Sequence, residues 1–591
     1  MTLALRLPEV APAAFAVPEP LAMPDQVLDA PFADPAAPGL APEPGRFAAR
    51  LFVLGMPGVI SLAVGWISLG WFRLDGVLSV AEVVLVAGSL LAYYWVVMSF
   101  ASAMLGLLWR APMPPVRSAN LTGMDVAILL PMYGEPAAAT IGQAVRLLSA
   151  LHGRDHPHRF TLHVLSDSRD PEAVRAEEKA FASLRRTHPA QAMFYRHRDL
   201  NTDYKSGNIR DWVCEAGAGY EAMLILDADS LMGRDAVLTL ANALAADPAC
   251  GLAQSVPRVL PGTTLWQRLQ SFASQAYGVN LARGFAMWSG ATGNFLGHNA
   301  VIRTRAFAAA AGLPHLPGPR PMGGVILSHD FVEAALLRRA GWGVRILPEA
   351  VASYEDTPET VLGYVRRDLR WCQGNMQHLR LVTMPGLRPL SRFHLLQGAM
   401  AYLSSVWWLC LLVLWAALGE SGTISYFTEG NPLMPVWPDL PPVTQGALAA
   451  FVVAMLLGPK LIGIAAHLRD NGLPRDSRAR FVLSVVVEIV LSVLMAPMLM
   501  VHQVRAVTRT LAGFDGGWAP HLTGRPGLVV LLRFHAVETA MGLGLCGLVA
   551  IGALTPWLLP VAVCLALAVP LSALAACDAR RWPLYSFAVQ A

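Results

Sequence analysis

Four short apolar runs, Val126–Leu130, Leu162–Leu165, Met193–Tyr195 and Met223–Leu226, alternate with helical patterns over 137–151, 171–186, 205–216 and 234–246. Strands and helices alternating at this spacing predict right-handed βαβ units on a mostly parallel sheet. Ligands of such sheets sit beyond the carboxyl ends of the strands, so the polar residues that follow each run are where chemistry is sought.

On both sides of this region, which runs from about 120 to 385, the polar positions disappear. Stretches 51–72 and 78–109 precede it, and 395–418, 445–466, 534–554 and 556–577 follow. Each is long enough for a helix rising about 1.5 Å per residue to cross a hydrocarbon layer about 30 Å thick. Residues 481–513 are less regular: Glu488 interrupts the apolar run, Pro497 breaks it, and Arg505 and Arg509 follow. A full crossing there would place the basic loop 504–527 outside, so an interfacial or re-entrant pair of helices is expected. That gives six spans, with seven or eight as the alternative. Arg46 and Arg50 precede the first span, Arg110 and Arg117 follow the second, and Arg580 and Arg581 follow the last. By the positive-inside rule the amino terminus, the inserted domain and the carboxyl terminus are cytosolic. The expected layout is a Pro/Ala-rich disordered tail at 1–45, two membrane helices at 46–112, the soluble domain at 120–385, and membrane and interfacial helices at 390–591.

Composition agrees with a membrane protein: 54% of residues are hydrophobic and 15% charged. A net charge of +4, spread over scattered arginines, offers no continuous nucleic-acid surface. The seven cysteines never form a CxxC pair, so they suggest neither a disulfide framework nor a cysteine zinc site.

The candidate chemistry centres on Met223–Leu–Ile–Leu–Asp–Ala–Asp–Ser230. Side chains on a strand alternate with period two, so Asp227 and Asp229 leave the sheet edge on the same side. Two hard oxygen donors there suit Mg²⁺ or Mn²⁺, with substrate phosphates completing the shell. After the first strand, Tyr133 and Glu135 offer an aromatic and a carboxylate to a base or ribose, or simply form a turn. Asp167 after the second accepts from a uracil ring or caps a helix. Lys205 is one of three lysines in an arginine-biased chain, which hints at a need for its compact charge. Asp330, in Ser–His–Asp before a helical pattern, is a helix cap or a general base. Arg367 and Arg370 share a helix face suited to a diphosphate, unless that face is merely solvated; Trp371 supplies a flat surface for a sugar ring.

In this order the motifs resemble those of the membrane-embedded, inverting family-two glycosyltransferases with a GT-A fold, such as cellulose, chitin and hyaluronan synthases. The matching residues are Asp167, the DxD pair Asp227 and Asp229, Asp330, and Arg367 to Trp371. Two departures stand out: Ser–His–Asp replaces Thr–Glu–Asp, and Arg367 stands where glutamine is usual. The stretches LLPMYGEP, LSDSRDP, YKSGNIRDW, LDADSLM and RRDLRWCQGNMQHL are similar to one branch, the glucosyltransferases of osmoregulated periplasmic glucans.

The resemblance implies a polytopic membrane protein with an inserted Rossmann-like GT-A domain, using UDP-glucose and Mg²⁺ (or Mn²⁺) to build a β-1,2-linked glucan in the bacterial inner membrane. Acyl carrier protein is an implied partner. In this reading Asp330 is the base; Tyr133, Glu135, Asp167, Lys205, Arg367 and Arg370 hold UDP. His298, Asn299 and Trp371 hold the acceptor, and the loop 512–525 gates the site, or is a plain connector. The rivals are a cellulose-type synthase, a lipid-carrier glycosyltransferase and a nucleotide-sensing transporter. Sparse intramembrane charge, chiefly Glu488 and Glu538, speaks against the last.

Overall fold

The computed structural model describes residues 20–73, 78–109, 121–153, 155–418, 443–472, 478–516, 524–582 and 584–585. The apolar runs form strands β1 (Asp125–Met132), β2 (Arg159–Ser166), β3 (Met193–His197) and β4 (Ala222–Ile225), all running parallel. Three more, β5 (Cys250–Ser255), β6 (Ala300–Arg303) and β7 (Gly343–Leu347), complete a sheet of order β3-β2-β1-β4-β6-β5-β7. β6 lies antiparallel to both its neighbours, so the sheet is mixed. A second sheet of Leu231–Met232, Ser353–Glu355 and Arg258–Val259 stands beside the end of β4.

Period-two alternation sorts the core into two layers. Val126, Ile128 and Leu130 of β1 face the helices Ala137–Leu151 and Arg234–Ala246. Ala127 and Leu129 face Trp212, Phe307 and Leu337 on the other side. With both faces covered, the helices hold the sheet rigid and leave its carboxyl edge open for the site.

Among the described residues, five helices are long and apolar enough to cross a membrane: Arg46–Phe72, Val80–Leu108, Pro389–Ala416, Gly446–Asn471 and Arg478–Leu511. Two bent pairs follow, Leu528–Phe534 with Ala536–Ala550 at 68° and Pro556–Ala566 with Ala568–Ala575 at 47°. The expected pair of helices over 481–513 is instead one continuous helix of 34 residues that carries Pro497 in its interior. Glu488 does not interrupt it, because its carboxylate accepts from Lys460 Nζ at 2.7 Å and from the Tyr277 and Ser492 hydroxyls. Both ends of this helix meet the inserted domain: Phe481 packs on Phe272, and Ala506 and Val507 pack against Cys372 and Met376.

Residues 20–45 differ from the disordered tail expected there. They carry no regular structure, yet they run along the domain as a strap. Leu21 N donates to Cys214 O at 3.2 Å, and the Trp342 indole donates to Asp34 at 2.8 Å. Arg339, nearly fully buried, donates to Gln26 Oε1 at 2.8 Å and to the Val27 carbonyl at 2.9 Å. A Pro/Ala-rich chain has no periodicity to reveal such pinning, since its partners lie far along the chain, the Trp342 and Arg339 contacts more than 300 positions away.

The domain is welded to the membrane helices along a close seam. A Cβ on Gly106 would lie 1.9 Å from Asn280 O, and one on Gly284 would lie 1.9 Å from Ser102 O, so backbones touch where only glycine fits. Arg46 and Arg50 donate to the carbonyls of Met287, Trp288 and Ser289, at the carboxyl end of the helix Val279–Ser289. Cations are favoured at that end of a helix by its dipole.

Candidate active site

The site opens where β4 ends. Asp227 and Asp229 follow the strand, and the turn is closed by Ser230, whose N–H donates to Asp227 O at 3.0 Å and whose hydroxyl accepts from Asp227 N at 2.9 Å. Lys205, from the first turn of the helix Tyr204–Ala216, ion-pairs with Asp227 and donates to Gly297 O at 2.8 Å. Burial alone would push the Asp227 carboxyl up; the Lys205 and His298 charges outweigh it and hold it below the usual range. Asp229 has no ion-pair partner among the described residues, and burial together with the Asp227 charge pushes it up to about 6. A carboxylate so poorly neutralised, one residue from another, is a donor set that fits a divalent cation.

The helix Val361–Gln377 brings cationic groups to the same cleft. Its amino end is capped by Thr360, which accepts from Gly363 N at 3.2 Å. Arg370 has no hydrogen-bond or ion-pair partner among the described residues; burial and the neighbouring Arg367 depress its pKa, opposed by the Asp227 charge. Arg367 lies over the Trp371 ring, 4.3 Å from its centroid, with Nε buried and unpartnered. Trp371 itself is 41% exposed.

Asp330 stands on a third wall. It is the second residue of the helix His329–Ala340, whose N-cap is Ser328, so Asp330 is not the cap. Burial pushes its carboxyl up, and the Glu333 charge adds to this against His329. A Cβ on Gly297 would lie 3.4 Å from Asp330 Oδ2, so the glycine leaves this carboxylate open to the cleft.

The chain resembles known proteins over most of its length. A family model described as glycosyl transferase family group 2 matches residues 222–457. Relatives named glucans biosynthesis glucosyltransferase H include one from Vibrio cholerae serotype O1, 39% identical over 540 residues, covering 89% of this chain and 74% of that protein. One from a Shewanella species (strain ANA-3) matches with the same identity and coverage. The chain belongs to the glucans biosynthesis glucosyltransferase H family. Among solved structures, a mannosyltransferase from Pyrobaculum calidifontis in complex with GDP-Man and Mn²⁺ aligns at 16% identity and a TM-score of 0.41, covering 66% of this chain and all of that one.

Membership in the glucosyltransferase H family makes the chain a glycosyltransferase with a GT-A-like domain, acting on a nucleotide sugar and an acceptor. Within that frame the structure corrects two sequence expectations. Asn299 cannot touch an acceptor: it is 0% exposed, with positive φ, and its amide donates to Ser353 Oγ at 2.9 Å. Asparagine tolerates this left-handed conformation better than most residues, and that is its reason for standing here. His298 is also turned inward, with Nδ1 3.2 Å from Ser230 Oγ and Nε2 3.1 Å from Glu355, leaving no ring nitrogen for a sugar. Burial opposes its charge, but Asp227 and Glu355 outweigh that and raise His298 to about 9.

Asp167 is not a cap either, because Asp170 caps the helix Pro171–Thr187. Both Asp167 oxygens accept from Arg198, at 2.7 and 2.9 Å. Any base contact therefore uses its remaining lone pairs. Glu135 accepts from Tyr133 N, and burial pushes its carboxyl up. Sequence reading missed Arg198, Glu355 and Glu333, the residues that hold Asp167, His298 and His329 in place. Arg198 and Glu355 lie far in sequence from the motifs they support, and Glu333 stands one helical turn beyond His329 on a helix that also carries Asp330, Arg338 and Arg339. The centre of the expected gating loop, 517–523, lies outside the described residues; its flanks touch the domain where Gly516 N donates to Gln373 at 3.1 Å and Gly524 N to Glu359 at 2.9 Å.

Proposed function

We propose that the chain transfers glucose from UDP-glucose to a growing β-1,2-glucan with inversion at the anomeric carbon. The observation that carries this reading is that two guanidinium groups without a hydrogen-bond or ion-pair partner among the described residues, Arg367 and Arg370, stand with the carboxylates Asp227 and Asp229 at one cleft that Asp330 also faces. Phosphates and a divalent ion together satisfy such a set of charges; neither does so alone. A divalent ion, Mg²⁺ or Mn²⁺, held by Asp227 and Asp229 would offset charge on the leaving diphosphate.

Asp330 accepts the proton of the attacking acceptor hydroxyl. The new glycosidic bond forms as the bond from glucose to UDP breaks on the opposite face, and the electron pair leaves with the diphosphate. Arg370, Arg367 and Lys205 meet that charge as it develops. Trp371 offers its exposed face to the acceptor ring.

The catalytic domain is read as cytosolic and the protein as residing in the bacterial inner membrane. The helix Arg478–Leu511 then lies along the membrane face, since both its ends touch the domain, and six crossings carry the product outward. Purified protein in detergent with UDP-glucose and Mg²⁺ is expected to release UDP and to form polymer cut only by a β-1,2-glucanase, with both lost in Asp330→Asn. Cellulase-sensitive polymer would reject the linkage and keep the mechanism; no UDP release with any common UDP-sugar would reject the synthase reading.

A further inference from the structure

Intramembrane charge is rare in this chain, and Glu538 is fully buried. One carboxylate oxygen, Oε1, accepts from Arg505 at 3.0 Å, while Oε2 has no hydrogen-bond partner. Two buried histidines face it. His535 sits at the 68° break between Leu528–Phe534 and Ala536–Ala550, with Nδ1 3.9 Å from Glu538 Oε2. His502, from the long helix Arg478–Leu511, brings Nε2 to 3.3 Å from His535 Nδ1. One ligand atom from each residue lies within 4.8 Å of the others.

We propose that His502, His535 and Glu538 form a transition-metal site, of the kind zinc takes, separate from the catalytic carboxylates. Three observations carry it. Four-coordinate zinc with bonds of about 2.0–2.1 Å separates its ligand atoms by about 3.3–3.4 Å, close to the facing histidine nitrogens. An ion-free triad serves the facing nitrogens with a single shared proton and leaves Glu538 Oε2 unserved inside protein, which is costly; a cation between the three serves them all. Arg505 on Oε1 fixes the carboxylate so that Oε2 is the oxygen presented, the part an outer partner plays at metal sites. Two imidazoles and one carboxylate suit zinc and its transition-metal neighbours, whereas the all-oxygen pair Asp227 and Asp229 suits Mg²⁺. The absence of CxxC pairs bears only on cysteine ligands. The ion would pin the bent helix pair to the long helix that backs Cys372 and Met376 on the catalytic helix.

The test uses full-length protein in detergent, purified through an affinity tag that carries no histidine. Plasma mass spectrometry is expected to find about one zinc per chain, and Co²⁺ exchange to give the visible absorption of tetrahedral cobalt. Glu538→Gln, which keeps the volume, is expected to weaken cobalt binding by more than about tenfold, and His502→Ala to remove the band; Asp229→Asn is expected to retain it. Monodisperse wild-type protein that binds neither ion overturns the proposal. So does metal retained unchanged in folded Glu538→Gln and His502→Ala, which marks an adventitious ion. If the variants fail to fold, the wild-type cobalt spectrum alone decides, and its absence overturns the site.

Discussion

Asp330 illustrates how one side chain trades stability for chemistry. Burial raises its pKa, so the folded protein binds this proton more tightly than the unfolded chain does. Stability from this group is therefore present at low pH and lost as pH rises through the folded value, while activity needs the deprotonated form and moves the other way. The acid limb of kcat/KM is expected above the value of about 3.9 typical of aspartate, and a pH–rate profile of UDP release measures it. Asp330→Asn removes the charge without changing the shape. It is expected to cost about 10²–10⁴ in kcat while raising the apparent melting temperature, and a profile unchanged in both respects would reject the base assignment. The carboxylates of this site were legible in sequence because each ends a predicted strand or opens a predicted helix. Their holders were not: Arg198 meets Asp167, and Glu355 meets His298, only through tertiary packing. The same lack of tertiary information assigned Asn299 to the acceptor when its backbone conformation was the constraint.

At the scale of elements, periodicity marked strands β1 to β4 and the helices between them within a few residues, because each is strongly patterned. It failed where partners are distant. The strap at 20–45 is held by single contacts, of which Gln26 on Arg339 is the most buried. Gln26→Leu leaves a guanidinium N–H without its acceptor and is expected to cost about 1.5–3 kcal/mol, read as a lower apparent melting temperature with intact UDP release. An unchanged melting temperature would mean that the Gln26–Arg339 contact contributes nothing to the fold. The long helix Arg478–Leu511 misled in a different way. Local rules count Pro497 as a break and Glu488 as a polar interruption, yet Lys460, Tyr277 and Ser492 satisfy the carboxylate and the helix continues.

At the scale of the whole molecule, hydropathy gave the number of apolar segments but not which of them cross. If the helix Arg478–Leu511 lies along the membrane, cysteines placed at Arg478 and at Leu511 are both expected to react from the cytosolic side. A background without accessible native thiols is needed, since Cys410 is exposed. Labelling of the two ends from opposite sides would make the helix a crossing and the span count odd.

The seam at Arg46 and Arg50 links insertion to folding. These arginines do not merely mark one side of a bilayer; their guanidinium groups complete the helix Val279–Ser289 inside the catalytic domain. A copy in which only one of the first two helices crossed would strand them across the lipid from those carbonyls. Such a copy would be an unfinished domain as well as a misplaced one, exposed to quality-control proteases before it could consume any sugar nucleotide.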